Sequence, residues 1–116
     1  MALRGIRGAT SVAANAKNEI IAATQELLTE ILKENAVKTG EIASILFSST
    51  GGLDAEFPAV AARELGWNDT PLLCMREIDV PGSLQNCIRV LLHVNTDKKQ
   101  TEMKHVYLRA AVNLRR

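Results

Sequence analysis

At 116 residues, 47% of them hydrophobic, the chain has the length of one ordinary domain, able to bury roughly two-thirds of the surface its unfolded form exposes. Fourteen Lys and Arg against thirteen Asp and Glu leave a net charge of +1, and four aromatics (Phe47, Phe57, Trp67, Tyr107) are scattered along it. That balance speaks against both the concentrated basic face of a nucleic-acid binder and the aromatic platform of a base-stacking protein.

The opening ALRGIRGATSV mixes β-branched residues with arginine and glycine and predicts a strand with an irregular middle. Arginines and glycines stand where a secretory signal needs an apolar stretch, and no apolar run approaches about 18 residues, so a mature cytoplasmic protein without a membrane span is expected. From Asn15 the apolar spacing lengthens: Ile20, Ile21, Thr24, Leu27, Leu28, Ile31 and Leu32 recur at three, four and seven, with charges between them. That is an amphipathic helix. Thr39 is placed to cap a short helical turn with Glu41 inside it. SILFSST then predicts a buried strand running into a turn at Thr50, Gly51 and Gly52. FPAVAAREL predicts a second, shorter helix with Pro58 at its start and Gly66 at its end. TPLLCMREI predicts a third strand, DVPGSLQN a turn-rich connection, CIRVLLHVNT the fourth and strongest strand, and KHVYL a short fifth at an edge. RAAVNLRR is compatible with a helical turn or an extended arm. The expected architecture is α+β, a mixed sheet of about five strands packed on one long and one shorter helix, in one domain spanning 1–116. Its small aliphatic core leans toward oligomers.

Motifs for covalent or metal chemistry are missing: there is no P-loop, GxSxG, GxGxxG or HExxH. His93 and His105 stand alone, Asp54 and Asp79 sit in turns, and Cys74 and Cys87 fit free thiols of a reducing compartment. What stands out is arginine placement, with Arg7 in the first strand, Arg63 on the second helix, Arg89 inside the fourth strand and Arg115 near the end. A guanidinium in a sheet interior costs several kcal/mol unless acceptors meet it. Convergence of these arginines with Glu77 and Tyr107 would make a pocket for a small polyanion, because guanidinium groups grip carboxylates bidentately. A plain buried Arg89–Glu77 ion pair accounts for the same residues.

RGIRGAT (Arg4 to Thr10), FPAVAARE (Phe57 to Glu64), CIRV (Cys87 to Val90) and KHVYL (Lys104 to Leu108) together resemble the monofunctional α/β class of chorismate mutase. The likeness runs in order, at nearly constant spacing, from residue 3 to about 115. It implies a homotrimer with a pseudo-barrel core and active sites in clefts between subunits, converting chorismate to prephenate in aromatic amino acid biosynthesis without cofactor or metal. The rearrangement needs no proton transfer and no covalent intermediate, in keeping with the empty motif scan. By the same resemblance Arg89 reaches the ether oxygen and a carboxylate, and Arg7 and Tyr107 bind the side-chain carboxylate. Glu77 and the backbone near Cys74 hold the ring hydroxyl, Phe57, Ala59 and Leu114 form apolar walls, and Arg63 and Arg115 flank the cleft mouth.

The chain departs from the family pattern in three places. It ends in LRR where relatives continue LRPDL, which exposes the assignment of Arg115. Lys98 and Lys99 follow Asp97 where a proline is frequent, so a more mobile loop is expected. Gly52 stands where an acidic residue is frequent. Two rivals remain: a non-catalytic trimeric sensor of an aromatic-pathway carboxylate, which has no use for a donor at the ether oxygen, and an imine deaminase, for which no water activator is evident.

Overall fold

The computed structural model describes residues 1–114. The expected elements form in order: β1 (Ala2–Ser11), α1 (Lys17–Asn35), β2 (Ile42–Ser49), α2 (Ala59–Glu64), β3 (Leu72–Arg76), β4 (Cys87–Thr96) and β5 (Val106–Tyr107). Short 3-10 turns occupy Thr39–Glu41, Gln100–Glu102 and Arg109–Leu114, so the tail takes the helical alternative as far as it is described. The strands make one mixed sheet in the order β3-β2-β4-β1-β5. β4 is antiparallel to both β1 and β2, while β3 and β5 run parallel to their neighbours at the two edges.

Alternation sorts each strand's side chains onto two faces. Ile6, Gly8 and Thr10 of β1 and Ile88, Val90, Leu92 and Val94 of β4 point to the covered face, where Leu27, Leu28 and Ile31 of α1 pack against them. Gly8 makes that approach possible, since a Cβ there would lie 2.6 Å from Ile31 Cδ1 and 3.1 Å from Leu27 Cδ1. In β2 the register with β4 slips between Ile42 and Ser44, which brings Ile42 and Ile45 to the same face although they are three positions apart.

Three local expectations are corrected. β1 is regular, pairing with β4 from Ala2↔Thr96 to Ser11↔Cys87 without a break, so Gly5 and Gly8 stay within the ladder. Lys38, not Thr39, is the cap residue of the following turn, and its N–H donates to Glu41 Oε1 at 2.8 Å. The lysines after Asp97 tie their loop down: the Lys98 ammonium donates to the Asn35 carbonyl at 3.0 Å, at the electronegative end of α1, and Lys99 N–H donates to Glu102 Oε1 at 2.8 Å. Pro58 stands at the cap of α2, which has no side-chain cap.

Candidate functional site

Among the described residues the opposite face of the sheet has no α-helix over it, only the short 3-10 turn at Arg109–Leu114 at one end, and it carries Arg7 and Ala9 of β1, Ser48 of β2 and Arg89 of β4. Arg89 is therefore not inside the fold. Its side chain is 45% exposed, and its cross-strand neighbours Ala9 and Ser48 are both small. Alternation explains the arginine in an apolar run, since only Ile88, Val90 and the residues in phase with them meet α1. Arg89 Nε lies 3.3 Å from Glu77 Oε2, and the same oxygen accepts from Ser48 Oγ at 2.7 Å. Glu77 is placed by the end of β3, where its N–H donates to the Ser49 carbonyl at 2.9 Å. The ion pair exists, but it lies on a wet surface, so neither partner needs the other to offset burial.

The last turn folds over one end of this face. Ala110 N–H donates to Ser11 Oγ at 3.1 Å, Ala111 packs against Ala9 and Cys87, and Leu114 comes to rest beside Tyr107. Arg7, Glu77, Arg89, Tyr107 and Leu114 thereby line a single cleft of about 310 Å³.

The other predicted residues gather elsewhere. Cys74 lies on β3, with the Ala59 amide donating to its sulfur and the Arg63 guanidinium nearby. Phe57, 65% exposed, precedes α2 on a loop held by Asn15, whose Oδ1 accepts from the amides of Asp54 and Ala55 at 3.1 and 3.0 Å. Phe57 and Cys74 line a second cavity of about 450 Å³, and Met75 borders both. Arg115 lies outside the described residues. The predicted residues are thus divided: Arg7, Glu77, Arg89, Tyr107 and Leu114 line one cavity, Phe57 and Cys74 line another, and Ala59 is buried in the core.

Burial pushes the Cys74 thiol up from its ordinary value, against the opposing effects of the Ala59 amide and Arg63. Burial likewise raises Cys87, with Arg89 opposing and Glu77 reinforcing. A raised thiol is protonated at neutral pH, so both cysteines are expected to alkylate slowly at pH 7 and faster as pH climbs past about 9. Because the fold favours the protonated form, this stabilisation is full below the unfolded thiol's pKa and is lost as pH rises through the folded one. Timed iodoacetamide labelling with mass spectrometry checks the rates, and rapid labelling at pH 7 would contradict the burial argument.

Three residues of the site were missed from sequence. Ser48 orients Glu77, His105 Nδ1 accepts the Arg7 N–H at 2.9 Å, and Arg76 stands over Gly51 in the second cavity. For Ser48 a signal existed, since it falls in phase with Ser44 and Leu46 on the face that Ile45 and Phe47 avoid. Among the described residues no group of three or more His, Cys, Asp or Glu is placed to hold a metal ion.

Comparison with known proteins gives this arrangement a context. The chain is 47% identical over 116 residues to the chorismate mutase AroH of Bacillus subtilis, covering 99% of this chain and 91% of that protein. It is 47% identical over 114 residues to the chorismate mutase AroH of Thermus thermophilus, covering 97% and 93%. The solved structure of a chorismate mutase from Clostridium thermocellum superposes with a TM-score of 0.91 at 56% identity, over 92% of this chain and 96% of that one. A model of the family "Chorismate mutase type I" matches residues 3–116, and the chain belongs to that family.

Proposed function

We propose that the chain is a chorismate mutase that rearranges chorismate to prephenate in a cleft between two copies of itself, within a homotrimer. The observation that carries this is the cleft where Arg7, Arg89, Glu77 and Tyr107 meet on an uncovered sheet face. It offers donors and a carboxylate, and Ser48 Oγ, 2.7 Å from that carboxylate, donates to it and orients it. An intramolecular Claisen rearrangement suits such a site. It breaks an ether C–O bond as a C–C bond forms, and it asks the protein to hold the compact reactive conformer and to meet the charge that separates.

Arg7 and Tyr107 bind the side-chain carboxylate. Arg89 donates to the ether oxygen and a carboxylate, a contact that strengthens as the oxygen becomes enolate-like, which is how a donor raises kcat as well as affinity. Substrate draws Arg89 away from Glu77, and the freed carboxylate accepts the ring hydroxyl close to the cation-like ring. The second half of the cleft comes from the neighbouring copy. Phe57 and Ala59 supply apolar walls, the backbone at Cys74 meets the hydroxyl, and Arg63 stands at the mouth.

The separation of Phe57 and Cys74, in one cavity, from Arg7, Arg89, Glu77 and Tyr107, in another, supports assembly between copies. So do Leu73, Met75, Ile78 and Val80, all exposed by 45% or more along β3 and the connection after it. Residues 1–116 act as one domain, and the reduced thiols suit the cytoplasm. Among the described residues no helix is long and apolar enough to cross a membrane.

The test is the loss of chorismate's ultraviolet absorbance on adding purified protein, with prephenate confirmed by acid conversion to phenylpyruvate. Absorbance loss with prephenate formed is the expected result. Tight chorismate binding without turnover would replace the enzyme by a sensor.

A further inference from the structure

We propose that His105 is a positioning residue for Arg7, its imidazole holding the strand backbone on which that guanidinium stands. The inference rests on the reading of Arg7 as a carboxylate-binding group. β1 pairs with β4 along its whole length on one side, whereas β5 reaches only Gly8 and Ala9 on the other. Ahead of β5, side chains complete that edge. Gln100 Oε1 accepts the Gly5 N–H at 2.9 Å while its Nε2 donates to the Gly5 carbonyl at 2.6 Å. One step along, the Arg7 N–H points away from β4 and donates to His105 Nδ1 at 2.9 Å. The imidazole stands where a neighbouring strand would offer a carbonyl.

The pin matters because of what surrounds Arg7. Gly5 and Gly8 bring no side chain to pack and have the greatest backbone freedom of any residue. Arg7 is exposed on the open face, so packing does not hold its backbone from that side either. Hydrogen bonds along the two strand edges are what remain to set the direction of its side chain. The bond to Arg7 also selects one state of the ring, neutral with the proton on Nε2, because Nδ1 must offer a lone pair. Protonation turns Nδ1 into a donor facing another donor, and the pin opens.

The test pairs steady-state kinetics on chorismate with amide spectra of the ¹⁵N-labelled full chain. His105→Ala is expected to raise KM about tenfold while kcat stays within about threefold, since a carboxylate grip serves ground and transition states alike. His105→Asn, whose carboxamide oxygen falls near the place of Nδ1, is expected to restore most of the affinity. In the wild type, KM rises on acidification as the ring protonates, and the Arg7 amide shift follows the same curve. Both responses are absent in His105→Asn. Should His105→Ala fail to fold, the wild-type titration and the Asn variant decide. An unchanged KM in His105→Ala, alongside a raised KM in Arg7→Ala, overturns this inference alone, as does a pH-flat Arg7 amide. An unchanged KM in Arg7→Ala removes the carboxylate-binding reading beneath it.

Discussion

Arg89→Ala is expected to lower kcat about a hundred- to a thousandfold while leaving the fold and the assembly intact, the usual consequence of deleting one preorganised donor at a developing oxyanion. The structural half of that expectation follows from where the residue sits. Its side chain is 45% exposed between two small cross-strand neighbours, so truncation opens no core cavity. Its partner Glu77 keeps Ser48 as a hydrogen-bond donor at 2.7 Å and is itself 26% exposed, so no carboxylate is stranded in a dry site. A stability change within about 0.5 kcal/mol, read from urea unfolding, is the expected companion to the lost rate. Arg89→Lys should also be poor, because an ammonium gives one directed contact where a guanidinium forks over two acceptors. A variant that unfolds or dissociates would instead make Arg89 a structural residue.

Two inactive variants are expected to restore each other. Arg89→Ala damages the cleft that holds Arg7 and Glu77, whereas Arg63→Glu reverses a charge beside Cys74 on the other half and, being exposed, leaves the fold alone. If a working site takes one half from each of two neighbouring copies, random mixing of the variants in equal amounts should leave about a quarter of the sites with both halves intact. Refolded together, the mixture should therefore recover roughly a quarter of the wild-type rate, far above either variant alone. Recovery no greater than the sum of the separate variants would place the whole site within one chain.

Much of this protein was legible before any coordinates. The spacing of Ile20, Leu27, Leu28 and Ile31 specified α1, and CIRVLLHVNT marked β4 to the residue. The short β5 was found through KHVYL, and the family through four segments spread along the chain. The errors were errors of environment. Arg89 was placed in a sheet interior because a run of apolar neighbours shows that a strand packs on something, without showing that only one of its faces does. Thr39 was preferred as a cap on residue type, yet Glu41 reaches back to Lys38 and sets the turn there. The loop at Lys98 is expected to loosen without a proline, but the Lys98 ammonium, 63 residues from Asn35, donates to the Asn35 carbonyl at the end of α1.

The residues alone determined the elements and their order, because helix and strand periods are local and are written in the spacing of apolar side chains. They also determined the chemical inventory, several guanidinium groups with one carboxylate and one phenol and no activated nucleophile. The tertiary structure decided the strand order β3-β2-β4-β1-β5, which face of the sheet stays open, and the division of the candidate site between two cavities. It alone showed that Gln100 and His105 complete the edge of β1 from 95 and 98 residues away. Such contacts depend on which distant segments the folded chain brings within about 3 Å of each other, and hydrogen bonds of that length leave no period in the sequence.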